Sequence, residues 1–197
     1  LFKTMPMGEK TPGVFLENIG GGVKRMMAEQ RIAVDLQWKG IDIVFEKGGG
    51  FWFTDLGKGR GRVKERGGLY YAKPDGAGIK EVLFGSASGL NGVGLSPDEK
   101  VVYAAETDTA RLWAFDITGP GEVAPRAPGF MARFIAGQNE HCYFDSLAVQ
   151  ANGDICVATI IKAGITTITP TGQCAHVALP DPLVTNIAFG GADMRDA

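Results

Sequence analysis

Asn91 and Asp145 stand at one position of a repeated phrase, each ten residues ahead of a second apolar run that starts at Val101 and Ile155. At the same offset before Phe51 the chain has Ile41, with Asp42 one residue further on. A carboxylate combined with amide and carbonyl oxygens is a hard donor set that suits Ca2+, with Zn2+, Mg2+ or Mn2+ as alternatives. Singly, an asparagine or aspartate before a strand is ordinarily a turn former. Recurrence at a fixed offset points instead to a shared role.

The elements that must position these residues are short strands. Ile43-Val44-Phe45 leads through Glu46-Lys47-Gly48-Gly49-Gly50 to Phe51-Trp52-Phe53-Thr54-Asp55. Val93-Gly94-Leu95 leads through Ser96-Pro97-Asp98-Glu99-Lys100 to Val101-Val102-Tyr103-Ala104-Ala105. Leu147-Ala148-Val149 leads through Gln150-Ala151-Asn152-Gly153-Asp154 to Ile155-Cys156-Val157-Ala158-Thr159. Apolar runs bounded by polar turns read as strand, turn, strand. Further strands follow at Leu69–Ala72 and Ile165–Ile168, ending in the turns Lys73-Pro74-Asp75-Gly76 and Thr169-Pro170-Thr171-Gly172. A fourth copy of the phrase begins at Thr185-Asn186-Ile187-Ala188-Phe189 and stops before its second strand.

Repeats of four strands at this spacing predict an all-β propeller, whose inner strands converge on a common mouth. An antiparallel sandwich need not keep the ten-residue offset three times. Roughly four blades are legible, too few to close a ring. Residues 1–197 therefore read as one propeller domain, incomplete at both ends, with residues missing between 18 and 40. Within that poorly fitting N-terminal stretch, Val23–Arg31 reads more like a short helix than a strand pair.

Composition excludes several classes of function. The formal net charge of −2 leaves no footprint for nucleic acid or an anionic membrane. No apolar run approaches ~18 residues, so no spanning helix is expected. Three cysteines without a CxxC pair argue against a disulfide framework and for a reducing, cytoplasmic setting. GxxxxGK[ST], GxGxxG and HExxH are missing. Gly85-Ser86-Ala87-Ser88-Gly89 puts alanine where a nucleophile elbow needs serine. With His141 and His176 the only histidines, a histidine-rich metal site is not expected.

The phrases carry a resemblance. Gly49–Asp55, Asn91–Lys100, Phe144–Val149 and Thr185–Gly191 together resemble the gluconolactonase, senescence marker protein and luciferin-regenerating enzyme family of six-bladed propellers. The resemblance implies one divalent metal on the axis, bound by a glutamate, an asparagine and an aspartate. Asn91 and Asp145 match the asparagine and the aspartate, and Asp145 also matches the general acid/base of the family's hydrolases. Glu17, in Leu16-Glu17-Asn18, is the weaker match to the glutamate. Asp42 and Ser146 are the candidates for substrate contact. Ile41 departs from the asparagine or aspartate that the family often has at that position.

The reaction so implied is metal-dependent opening of a lactone or related cyclic ester, a carboxylic ester hydrolysis, on a small-molecule substrate. A non-catalytic ligand-binding propeller with a structural metal is the alternative, and phosphotriester or aryl-ester cleavage is a third. Gly57–Arg66 carries five basic residues. Such a run is ordinarily a solvated loop, and the functional alternative is a lid that attracts an anionic substrate. Oligomeric state is not legible.

Overall fold

The computed structural model describes residues 40–73, 79–84, 89–126, 131–191 and 196–197, with Ile41 and Phe84 described by their backbone alone. Glu17, the helix expected at 23–31, most of the Lys73–Gly76 turn and most of the Gly85–Gly89 phrase lie outside them. The described residues form strands and turns, with no helix among them.

The first sheet contains β1 (Gly40–Phe45) and β2 (Phe51–Asp55). A small hairpin of β3 (Gly59–Arg60) and β4 (Val63–Lys64) follows, and the sheet resumes with β5 (Gly68–Ala72) and β6 (Ile79–Phe84). Its order is β1-β2-β5-β6. The second sheet starts with β7 (Leu90–Leu95), β8 (Val101–Glu106) and the long β9 (Arg111–Gly119). Its outer position is shared by β10 (Glu122–Val123) and β11 (Arg133–Gly137), which pair with opposite ends of β9. The third sheet runs in order through β12 (Tyr143–Val149), β13 (Ile155–Ile160), β14 (Gly164–Ile168) and β15 (Cys174–Ala178). Each is an antiparallel meander, the unit from which a propeller is built, and we call them blades.

The turn between the first two strands is built alike in every blade. The amides of Gly49, Glu99 and Gly153 each bond to the carbonyl three residues earlier, at 2.9, 2.8 and 2.9 Å. All three residues adopt positive φ, at 90°, 56° and 93°. Glycine takes that conformation without strain. Glu99 is the exception, and its carboxylate reaches across to accept the Lys47 amide of the first blade at 3.1 Å. The Thr169–Gly172 turn follows the expected pattern, with Gly172 at φ 93°.

Burial locks the blades face to face. Trp52, Leu69 and Tyr71 of the first blade pack with Val93, Val102 and Phe115 of the second. Leu112, Ala114 and Tyr103 of the second pack with Phe144, Leu147 and Val157 of the third. As a result β7 runs between β1 and β12, so three innermost strands lie side by side.

Thr185–Phe189 forms no strand. In a meander the first strand of a blade pairs with the second strand of its own blade; among the described residues, 185–191 have only the isolated bridge of Gly190 with Asp196. The Thr185 carbonyl instead accepts the Ser146 amide at 3.1 Å.

Candidate functional site

Every innermost strand is interrupted at the same place. Partners along β1 and β2 jump from Gly40↔Asp55 to Ile43↔Phe53, so three steps on one strand match two on the other. Between β7 and β8 the jump is from Leu90↔Glu106 to Val93↔Ala104, and between β12 and β13 from Phe144↔Thr159 to Leu147↔Val157. Each is a one-residue bulge, a device that re-aims side chains at the margin of a sheet. The bulged pairs are Ile41-Asp42, Asn91-Gly92 and Asp145-Ser146.

The bulges bring their side chains together in two layers. In one, the Asn91 amide nitrogen donates to Asp145 Oδ1. In the other, the Ser146 hydroxyl donates to Asp42 Oδ2 at 2.7 Å, and that oxygen also accepts the Val93 amide at 3.2 Å. Asp42 Oδ1 accepts the Ile43 amide at 3.0 Å. Asp42 thus ties all three blades at one carboxylate. The Thr54 hydroxyl donates to the Asn91 carbonyl and fixes β7 against β2.

Close approach of backbones makes this geometry specific to glycine at one position. A Cβ on Gly92 would lie 2.6 Å from the Asp145 carbonyl oxygen and 2.8 Å from the Leu147 nitrogen. Any side chain there would push β12, and Asp145 with it, away from Asn91.

Burial raises both carboxyls. Asp42 is pushed from 3.8 up to about 6, chiefly because its charged form loses water, with the Asp145 charge adding to the rise. Hydrogen bonds from Ser146, Val93 and Ile43 offset part of it. Asp145 is likewise raised by burial, against the lowering bonds from Asn91 and the Ser146 backbone.

These residues fit a divalent cation in two respects. Asn91 is 4% exposed, and its Oδ1 is a buried acceptor with no hydrogen-bond partner. The atom left without a partner is the one a hard cation takes. Next to it stands a carboxylate whose ionised form a cation would favour. Asn91 and Asp145 could therefore supply two ligands. No group of three or more histidine, cysteine, aspartate or glutamate side chains able to hold a metal occurs among the described residues, and Glu17 lies outside them.

Of the residues singled out from the sequence, Asn91, Asp145, Asp42 and Ser146 meet at one point. Ser146 is spent on Asp42: its hydroxyl is a donor inside the cluster, and the residue is 8% exposed. Sequence reasoning missed Thr54 and Gly92. Thr54 carries no signal, since it sits on the neighbouring strand; Gly92 was visible as a glycine that no turn requires.

The basic loop also has a defined place. It leaves β2 after Asp55, which pairs with Gly40 beside the first bulge, so it rises from the end of the blade that holds the site. Within it β3 and β4 pair around the Gly61-Arg62 tip. Lys64 pairs with Asp108 of the second blade, and Arg60 with Glu65 at 3.0 Å.

The all-β arrangement of four-stranded blades is shared with solved propeller structures. Regucalcin from Agrobacterium tumefaciens, described as a calcium-binding protein, superposes with a TM-score of 0.66 at 20% identity, over 78% of this chain and 50% of that one. A luciferin-regenerating enzyme gives 0.63 at 24% identity, over 76% and 49%. The chain belongs to the family described as SMP-30/Gluconolactonase/LRE-like region, whose sequence pattern matches residues 34–197. A lactonase, drp35 of Staphylococcus saprophyticus, is 32% identical over 171 residues, 84% of this chain and 49% of that protein. Its counterpart from Staphylococcus haemolyticus is 34% identical over 119 residues, 59% of this chain and 34% of that protein. The chain thus spans half or less of the length of these curated relatives.

Proposed function

We propose that this chain carries the central part of a lactone hydrolase active site on a six-bladed propeller, with a divalent cation, Ca2+ foremost, at the mouth. The observation that carries the reading is the buried pairing of Asn91 with Asp145, which leaves the Asn91 amide oxygen without a partner. Membership of a family with lactonase-named relatives supports it. Asn91 and Asp145 would hold the cation, with Glu17 proposed as a third ligand. A bound cation supplies Lewis-acid polarisation of the ring carbonyl and charge neutralisation.

The chain's own residues account for the proton steps. Asp145, placed by the bulge of β12, accepts the proton of the attacking water as its oxygen bonds to the ring carbonyl carbon. It returns that proton to the ring oxygen as the carbon–oxygen bond breaks, giving a hydroxy acid with no net proton change. Burial raises its carboxyl in the direction a shuttle needs. Asn91 orients that carboxylate through its amide nitrogen. Asp42 and Ser146 form the floor, holding the second bulge layer at fixed spacing.

The test is a panel of lactones assayed with and without chelator and again in Asp145→Ala. Chelation and the mutation should each cut kcat/KM by about 100-fold or more. Full turnover in either case would sink the mechanism. Ile41, at the position equivalent to Asn91 and Asp145, favours a second reading, a ligand-binding propeller with a structural metal. Metal that raises thermal stability without supporting turnover of any lactone would select it.

A further inference from the structure

The bulge that presents Asn91 takes that stretch of β7 out of its own ladder. Register between β7 and β8 passes from Leu90↔Glu106 to Val93↔Ala104, so Asn91 and Gly92 have no paired residue on β8. Their place must be set by the neighbouring blade and by the residues just before the bulge. The Thr54 hydroxyl, donating to the Asn91 carbonyl, is one such support.

Gly89, immediately before β7, is the other. It is buried at φ +90°, and its carbonyl accepts the Thr107 amide at 2.9 Å. A Cβ there would meet Leu56 Cδ1 and Lys64 Nζ, both at 2.9 Å, and the Leu56 carbonyl oxygen at 3.1 Å. Leu56 follows β2 and Lys64 lies in β4, so the first blade's hairpin rests on the start of the second blade. Lys64 also donates to Asp108, the residue after Thr107 in the turn that leaves β8. One ammonium thereby touches the entry of β7 and the turn to which that entry is bonded.

The stem of the hairpin holds Lys64 in place. A Cβ on Gly57 would lie 2.0 Å from the Glu65 carbonyl oxygen, and one on Gly67 would lie 1.8 Å from that of Asp55. The two arms therefore touch backbone to backbone, and the Glu65 amide bonds to the Lys58 carbonyl at 2.9 Å. Gly89 precedes Asn91 by two residues, about 7 Å of extended chain. A lysine this near a cation site would weaken it by repulsion, and Asp108 offsets that charge.

We infer that Lys64 is a positioning residue for Asn91: bound to Asp108 and seated on Gly89, it fixes the entry of β7 and with it the place of the Asn91 amide oxygen. The inference rests on the reading that Asn91 and Asp145 hold a divalent cation. It makes the hairpin of the first blade a determinant of cation affinity at a ligand of the second.

The experiment is calorimetric titration of the full chain with Ca2+, or with whichever of Zn2+, Mg2+ and Mn2+ the wild type binds most tightly. The variants are Lys64→Met, Asp108→Asn and the exchanged pair Lys64→Asp with Asp108→Lys, at about 0.15 M salt. Charge and position predict opposite signs for Lys64→Met. Loss of a nearby positive charge alone would tighten cation binding, whereas loss of the anchor should weaken it by about threefold to tenfold. Asp108→Asn should weaken it as well. The exchanged pair, which restores the bond at unchanged net charge, should recover most of the wild-type affinity. Melting of each chelated variant within a few degrees of wild type, as expected for a partly exposed ion pair, separates the effect from unfolding. Affinity unchanged or raised in Lys64→Met, or an exchanged pair no better than the single variants, overturns this inference and leaves the cation reading standing. Wild-type protein that binds none of the four ions overturns both.

Discussion

Asp42 and Asp145 are carboxylates held in a common cluster by side chains from neighbouring blades, and the cost of ionising them is set by burial. In metal-free protein the Asp42 carboxyl titrates near about 6 in the fold against 3.8 when unfolded, so the fold binds its proton more tightly. Its contribution to stability is therefore fully present below about pH 4 and is lost as pH rises through about 6, an effect on the order of 3 kcal/mol. Urea unfolding of chelated protein across that range should show this fall, and Asp42→Asn should flatten it. Equal pH slopes in the two proteins would refute the assignment. At Asn91 the expected result concerns the cation: Asn91→Ala should weaken Ca2+ binding, followed by calorimetry, by at least about tenfold. An unchanged affinity would remove the Asn91 amide oxygen from the ligand set. Asn91 and Asp145 were legible from the ten-residue offset, with Asp42 one residue beyond it; the bond between Asp42 and Ser146 was not, because their separation in sequence hides that two bulges face each other.

At the scale of elements, the bulged inner strand is the working unit, and its fit depends on Gly92. Gly92→Ala would place a methyl 2.6 Å from the Asp145 carbonyl. It should destabilise the protein by about 1–3 kcal/mol and lower lactone kcat/KM as β12 shifts. Thr54→Val keeps shape but leaves the buried Asn91 carbonyl without its side-chain donor, a loss of about 1–3 kcal/mol. Chemical denaturation measures both, and values within a few tenths of wild type would show that β7 tolerates looser contact. The strands and turns were readable from apolar alternation and turn residues, since those depend on neighbours in sequence. Bulges were not, since an extra residue in a strand shows up only against its partner's register.

For the whole molecule, apolar clusters shared between neighbouring blades couple their stability. Leu112 is fully buried against residues of the third blade. Leu112→Ala should cost about 2–5 kcal/mol and lower a single melting transition. Two separate transitions would mean that the blades unfold independently. The all-β repeat was legible in the sequence because every copy keeps the same offset. The fourth copy, Thr185–Phe189, shows the limit of that logic, because an apolar run becomes a strand only when another strand is there to pair with it.

The bulges also change what a substitution or a deletion can do. In a regular strand consecutive side chains face opposite ways, yet Asp145 and Ser146 both engage partners on the neighbouring blades, Asn91 on the second and Asp42 on the first. Removing one residue at Asp42, Gly92 or Ser146 would give that strand a perfect ladder with its partner and reverse the facing of every residue before it. The cluster is thus encoded by counting: strand length, as much as residue type, decides which atoms reach the mouth.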